Sequence, residues 1–358
     1  MAKTPATLDL PAVRNQVNDL LDAHFKKRTS QAEIIAPEYV RLWQTIHQTA
    51  LAGGKRLRPY LLCLSYTMCG GRDTKLTIRV GTALELLHVC MLIHDDIIDR
   101  EQVRHGQPNV AGFYRKHYAK LSDDNVTTNH LADSAALLAG DLLLSDCYRF
   151  LLETDLPSTV ATAVFAQLDE AIFAVAGGQL LDTESPLHAA EDFDSLAVIN
   201  FKTSIYSFAK PLVIGAILAG TDEETVDDLE AAGSNLGMAF QLTDDLLGVF
   251  GNEQQTGKST MGDLREAKRT LLLQMTYQKA ALNQQQTVTD ILENHRTDPE
   301  KLAKIKQIMI DCGAKAAVES MAEDCVAQAK RFISKLQDRN LNTAQLEAFA
   351  GSLLRRTT

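Results

Sequence analysis

Aromatic residues are scarce in this chain, 6 % of 358 positions with a single tryptophan, and stretches of strictly alternating apolar and polar residues are hard to find. A β-rich fold draws on both, so an all-α protein is expected instead, consistent with abundant alanine and leucine. Positive charge is also short: 36 Lys and Arg against 46 Asp and Glu leave a net charge of −10. That argues against nucleic acid as a partner, which needs a basic face. No uninterrupted apolar run approaches ~18 residues, so no membrane span is expected. The six cysteines, at 63, 69, 90, 147, 312 and 325, include no CxxC pair. They read as reduced, mostly buried thiols of a cytoplasmic protein. The opening residues Met1-Ala2-Lys3-Thr4-Pro5 lack the apolar centre of a secretory signal. Linkers, low-complexity segments and clear repeats are missing too, which predicts one domain over 1–358 with residues 1–35 as a peripheral helix.

What is present is helical periodicity punctuated by glycine. Helices are expected over 36–51, from a basic turn at 55–59 to about Cys69, and over 75–101. Further helices are expected over 132–153, 158–180, 191–219 and 223–250, and through most of the remainder. Gly53-Gly54 and Gly70-Gly71 stop the early ones. Residues 104–112, 120–131 and 251–263 read as loops.

Two acidic pairs stand out because their neighbours are apolar. In Leu92-Ile93-His94-Asp95-Asp96-Ile97-Ile98-Asp99, Asp95 and Asp99 are four apart and share a helix face. Buried carboxylates of like charge are costly, so something positive must meet them, and hard divalent cations with oxygen ligands fit best. The pattern lacks the alternating oxygen ligands and central glycine of a calcium loop. A second pair, Asp244-Asp245, follows Phe240-Gln241-Leu242-Thr243. If the two helices face each other, the acids line one cavity, an arrangement suited to a diphosphate held by Mg²⁺.

The basic residues gather in motifs. In Gly53-Gly54-Lys55-Arg56-Leu57-Arg58-Pro59 the glycines allow close backbone approach, and Lys55 and Arg58 can converge on one phosphate. His88 lies two helical turns before Asp95, ~10 Å away on the same stripe. Arg104 can reach a metal-bound phosphate from beyond the helix end. Thr256-Gly257-Lys258-Ser259-Thr260 is not a P-loop, because Asn252 stands where that motif needs its first glycine and no strand precedes it. Lys258 and Lys268 read as further phosphate-facing cations.

Taken together, these motifs resemble the trans-isoprenyl diphosphate synthases, the polyprenyl synthetase family, over roughly residues 40–275. The resemblance rests on the 53–59 segment, Glu85-Leu86-Leu87-His88, the acids at 95–99, Lys202-Thr203, Gln241 with Asp244-Asp245, and Thr256-Gly257-Lys258. The stretches 244–251 and 263–270 are similar to bacterial geranylgeranyl diphosphate synthases. The family implies a bundle of helices around a central cavity, a homodimer, and head-to-tail condensation of isopentenyl diphosphate with an allylic diphosphate. By resemblance, Asp95, Asp99 and Asp244, supported by Asp96, bind Mg²⁺, three ions in all. Arg104, Lys202, Lys258 and Lys268 neutralise the allylic diphosphate, and Lys55, Arg58 and His88 bind isopentenyl diphosphate. Thr203 and Gln241 present oxygens to the allylic cation, with Lys202 beside them. Leu87, Cys90 and Met91 set chain length, and their modest size implies a twenty-carbon product, the alternatives being fifteen carbons if Met91 blocks and twenty-five or more if it folds aside. Two departures from the family are His105, where a second arginine is usual, and Gly248, where a third acid is usual.

Overall fold

The computed structural model describes residues 8–251, 264, 268–294 and 298–355. Among them the only strand pairing is Val103–Arg104 (β1) against Gln107–Pro108 (β2), antiparallel. All other regular structure is helical, as expected. Short polar residues start most of the helices. Asp9, Asp73, Asn109, Asp124, Asp194, Asp222, Thr270 and Asp298 each accept a bond from a backbone N–H of the first turn, satisfying a donor that the helix itself leaves open.

The chain forms two compact units, one of residues 1–165 with 214–220 and the other of 166–213 with 221–358. The first holds α1 (Leu10–Ala32), α2 (Pro37–Leu51), α3 (Leu57–Met68), α4 (Thr74–Ile98), α5 (Val110–Tyr118), α6 (Asn125–Leu152) and the start of α7 (Ser158–Glu184). Its centre is α4, which packs on α1, α3 and α6. Ile78, Val80, Ala83, Leu84, Leu86, Leu87, Val89, Cys90 and Ile93 are all buried, so α4 is apolar on nearly every side, as a core helix must be. On α6, Ala132, Ala136, Ala139 and Gly140 are buried. A Cβ at Gly140 would lie 2.0 Å from the His94 ring, so the two helices cross closely there. Along α1, Val13, Val17, Leu21 and Phe25 form a buried stripe at four-residue spacing.

The second unit holds the rest of α7, α8 (Ser195–Val198), a π-helical run Ile199–Ala209, and the start of α9 (Lys210–Ala219). It continues with α10 (Glu223–Phe250), α11 (Leu271–Lys279), α12 (Leu282–Asn294), α13 (Pro299–Asp311), α14 (Ala314–Asp338) and α15 (Ala344–Leu354). Here α10 is central, against α14, α15 and the π-helical run. Leu242, Leu246, Leu272, Val288, Leu302, Ile305 and Val318 belong to one apolar cluster.

Three differences from the sequence reading have local causes. The exposed loop expected over 120–131 ends at Asp124. That residue caps α6 through Val126 N and Thr127 Oγ1, and the polar residues after it form the exposed first turns of the helix. The loop expected over 104–112 is a hairpin followed by α5, whose first turn is capped by Asn109. Among the described residues two helices are long and apolar enough to cross a membrane, although no uninterrupted apolar run suggested it: α4, and Ser158–Leu187. The apolar stretch of α4 is 72 % buried as the core of its unit, against 28 % for Ser158–Leu187.

A buried ion cluster fastens α1 to α6. Asp146 is fully buried and accepts bonds from His24 Nε2 at 2.7 Å and Arg28 Nε at 3.1 Å, with Arg28 Nη2 on its other oxygen. Burial alone would raise its pKa, but the His24 and Arg28 bonds hold it below the ordinary aspartate value. A depressed folded pKa stabilises the fold above the unfolded value, and that stability is lost as the pH falls through the folded one. Asp146→Ala strands Arg28 and is expected to lower the unfolding free energy by about 3 kcal/mol. Urea unfolding across acid pH should show Asp146→Asn less acid-sensitive than the parent chain.

Candidate active site

In the first unit the site is built on the C-terminal end of α4. Asp95 and Asp99 are half-buried on one face, while Asp96, one residue round the helix, is 2 % exposed. The chain leaves α4 at Asp99, whose N–H bonds Asp95 O at 2.8 Å, and turns back through Arg100 at φ 58°. The β1–β2 hairpin then reverses through His105 and Gly106, both at positive φ, the pattern of a two-residue type I′ turn. This return brings Arg104 onto the acids. Its Nε and Nη2 donate to Asp96 Oδ1 at 2.8 and 2.6 Å, and Nη2 also lies 3.4 Å from Asp95 and from Glu101. Burial raises the Asp96 pKa to about 6, against the opposing pull of Arg104.

The same hairpin reaches the basic loop between α2 and α3. A Cβ on Gly53 would lie 3.0 Å from the His105 ring, so that glycine is what lets the ring sit on the loop. Within the loop Lys55 is exposed and Arg56 4 % exposed, and Arg58, in the first turn of α3, is half-buried. His88 is half-buried with its Nδ1 fully covered. Burial, then the positive charges of Arg58, Arg56, Arg104 and His105, push its imidazole well below the ordinary value, so it is neutral at pH 7. The expected residues Lys55, Arg58, His88, Asp95, Asp99 and Arg104 thus belong to one neighbourhood around the second half of α4. Of the chain-length residues, Leu87 is fully buried, Met91 half-buried, and Cys90 buried beside His94. Burial raises the Cys90 thiol to about 12.

In the second unit the π-helical run carries Lys202 and Thr203. Lys202 Nζ donates to Asp182 at 2.6 Å, Thr203 Oγ1 to Gln241 Oε1 at 3.0 Å, and Gln241 Nε2 to Asp245 at 2.8 Å. The last bond fixes the amide so that its oxygen faces Thr203. Asp245 is buried and Asp244 half-buried, so the second acidic pair is split as the first is, one acid turned inward and one outward. π-Helix is rare and concentrates at functional sites. Glycines let it pack: a Cβ at Gly178 would lie 2.4 Å from Lys202 N, and one at Gly237 2.5 Å from Ser204 Cα. Lys268 is half-buried ahead of α11, and Lys258 lies outside the described residues.

Sequence reasoning passed over Asp182, the partner of Lys202, and the glycines at 178 and 237. The signal was available in Gly177-Gly178-Gln179, glycines within a helical pattern, which mark close approach as often as a helix end. Among the described residues no three His, Cys, Asp or Glu side chains converge to hold a metal ion by themselves.

Residues 40–309 match the family model for polyprenyl synthetase. The chain belongs to that family. It is therefore a trans-prenyltransferase, and members of the family act on isoprenyl diphosphates with divalent metal. The chain is 30 % identical over 298 residues to a geranylgeranyl diphosphate synthase of Sulfolobus acidocaldarius, covering 82 % of each. It is 31 % identical over 290 residues to a geranylfarnesyl diphosphate synthase of Aeropyrum pernix, covering 80 % of this chain and 84 % of that one. Its fold is similar to the crystal structure of a geranylgeranyl pyrophosphate synthase of Corynebacterium glutamicum complexed with isoprenyl diphosphate and magnesium. There the TM-score is 0.85 and the identity 29 %, over 98 % of this chain and 100 % of that one.

The glycine crossings give a test of whether the π-helical run sets turnover. Gly178→Ala must push the backbone at Lys202 aside, and a displacement of about 1 Å costs on the order of 100-fold in rate. Steady-state kinetics should show that loss. Gly177→Ala, with open space around its Cβ, should leave the rate near that of the parent.

Proposed function

We propose that this enzyme makes geranylgeranyl diphosphate by adding isopentenyl diphosphate head to tail to an allylic diphosphate. The observation that carries the reading is the pairing of the half-buried acids at the end of α4 with a basic neighbourhood around His88, two turns before Asp95 on the same helix, to which the 55–58 segment adds its charges. Asp95 and Asp99 suit a metal-bound diphosphate, and Lys55, Arg58 and His88 suit a second one. A terpene synthase, which ionises a single diphosphate, has no use for that second set. The family match at 40–309 runs across both compact units, which supports treating 1–358 as one catalytic domain.

In the proposed mechanism Asp95, Asp99 and Asp244 are the carboxylate ligands of three Mg²⁺ ions, and their hard oxygen donors fit that ion. Bound there, the metal supplies Lewis-acid stabilisation of the charge that develops on the departing diphosphate. Asp96 holds Arg104 over the same charge, and Lys202, Lys258 and Lys268 add to it. The Thr203 hydroxyl and the Gln241 carbonyl turn their oxygen dipoles toward the allylic cation. Lys55, Arg58 and the neutral His88 hold isopentenyl diphosphate so that its double bond attacks that cation. No side chain in these motifs is placed as a general base, and the released diphosphate takes the final proton.

The growing tail runs back along α4 past Met91, Leu87 and Cys90. None of these is an aromatic plug, and the similarity to geranylgeranyl diphosphate synthases supports a stop at twenty carbons. The geranylfarnesyl relative, at comparable identity, favours twenty-five as the second reading.

We also propose a homodimer, working in the cytoplasm. On α6, Leu131, Leu137 and Leu138 are exposed, and on α7 so are Phe173, Leu180 and Leu181. Apolar surface of this kind marks interaction sites, and a second copy of the chain is the occupant. All six cysteines are free, in keeping with a reducing compartment. Leu138→Glu and Phe173→Glu should yield monomers in sedimentation velocity.

The deciding experiment supplies labelled isopentenyl diphosphate and each of three allylic primers, with Mg²⁺ or with chelator. A twenty-carbon product, absent with chelator, is expected. Pyrophosphate release without isopentenyl diphosphate, giving a hydrocarbon, would overturn the reading. Asp99→Ala should lose several orders of magnitude in turnover while remaining folded. Met91→Phe should shorten the product and Met91→Ala lengthen it; an unmoved distribution in both would place the end of the tail elsewhere.

A further inference from the structure

Between Lys55 and Arg58 stands an arginine that the binding assignments do not use. Arg56 is 4 % exposed, beside a lysine that faces solvent, and its guanidinium is held on three sides. Nε donates to Asn18 Oδ1 at 2.9 Å on α1, Nη2 to Ala50 O at 2.6 Å near the end of α2, and Nη1 to Glu85 Oε1 at 2.7 Å on α4. Glu85 is 1 % exposed and lies three residues before His88, so the two share a helix face. The backbone bends to make this possible. Arg56 sits at φ 53°, a conformation in which a side-chain-bearing residue is strained, and Gly54 at φ 105° has room for no more than hydrogen, since a Cβ there would lie 2.8 Å from Arg56 Nη1. The Arg56 carbonyl then accepts from Tyr60 N at 3.1 Å, starting α3 with Arg58 in its first turn.

We infer that the buried Arg56–Glu85 ion pair is a positioning device for isopentenyl diphosphate. It clamps the 53–59 loop to α4 so that Lys55, Arg58 and His88 hold one geometry. The inference rests on the proposed assignment of those three residues. Strain in the backbone at 56 persists because the surroundings over-determine it, and those surroundings are Asn18, Ala50 and Glu85. The guanidinium itself is enclosed and does not reach a ligand. Its work is to fix its neighbours, so its loss is felt in one substrate and not the other.

The test is steady-state kinetics with each substrate varied in turn at saturating levels of the other, on Arg56→Lys, Glu85→Gln and the milder Asn18→Ala, with thermal unfolding of each. Arg56→Lys keeps the charge but loses the fork that spans three elements, and Glu85→Gln keeps the shape but removes the charge. Both are expected to raise KM for isopentenyl diphosphate about tenfold, leaving KM for the allylic diphosphate and kcat within about twofold. Asn18→Ala should give a smaller shift in the same direction. A parallel rise in both KM values, or a fall in Tm with both unchanged, would reduce the pair to a structural one and overturn the inference. Lys55→Ala and Arg58→Ala measured alongside separate the two possible failures. If they raise KM for isopentenyl diphosphate while Arg56→Lys and Glu85→Gln do not, the positioning role alone falls. If they do not, the subsite assignment falls and takes this inference with it.

Discussion

The end of α4 depends on one ion pair, between the buried Asp96 and the half-buried Arg104. Asp96 carries a carboxylate into the interior, where its charge is costly without a partner, and Arg104, eight residues on, supplies two of its nitrogens to a single oxygen. That pairing decides where the chain goes after the helix. It draws the β1–β2 hairpin back along α4, seats the His105 ring on Gly53, and so joins the acidic end of the helix to the basic loop before α3. Asn109 secures the far side of the return, donating to Glu101 O and accepting from Gly112 N. Removing Asp96 strands the half-buried Arg104 guanidinium, and removing Arg104 takes away the pull that opposes the burial of Asp96 and so favours its protonated form.

Adjacent acids on a helix point about 100° apart, and the structure uses this twice. Asp96 turns inward to Arg104 while Asp95 and Asp99 stay on the half-buried face. In the second unit Asp245 turns inward to Gln241 while Asp244 stays half-buried. The inner acid orients a polar side chain, and the outer acid is the one proposed to meet a hard cation. Two roles thus come from one dipeptide without any departure from regular helix. The contrast lies in the inner partner. A guanidinium opposes the burial that lifts Asp96 to about 6, while an amide holds Asp245 and passes the orientation on to Thr203.

Much of this was legible in the sequence because the signals were local. The helix over 223–250 was read with its observed bounds, since Asp222 caps it and Gly251 ends it. The all-helical class followed from composition and periodicity, and the family from the resemblance carried by motifs such as 53–59 and 95–99. What was missed depended on longer range. Polar residues at 125–131 resembled a loop, yet a solvent-facing first turn has the same composition. Asp182 carried no mark of its own, being twenty residues from the lysine it pairs with. Nothing in Ile199–Ala209 announces π-helix, whose widened turn answers to the glycines of α7 and α10 packed against it.

The sequence by itself determined which residue types were available and on which helices, because periodicity, caps and glycine stops act within a few residues. It set Asp95 and Asp99 on one face and grouped Lys55, Arg56 and Arg58 in one short basic segment. Only tertiary structure decided which of these charges turn inward. Arg56 and Lys55 are neighbours of like charge, indistinguishable by composition, yet one is enclosed by Asn18, Ala50 and Glu85 and the other faces solvent. The physical reason is that a charge is buried only where partners distant in the chain arrive to meet it, and α1, α2 and α4 meet at Arg56 only once the chain has folded.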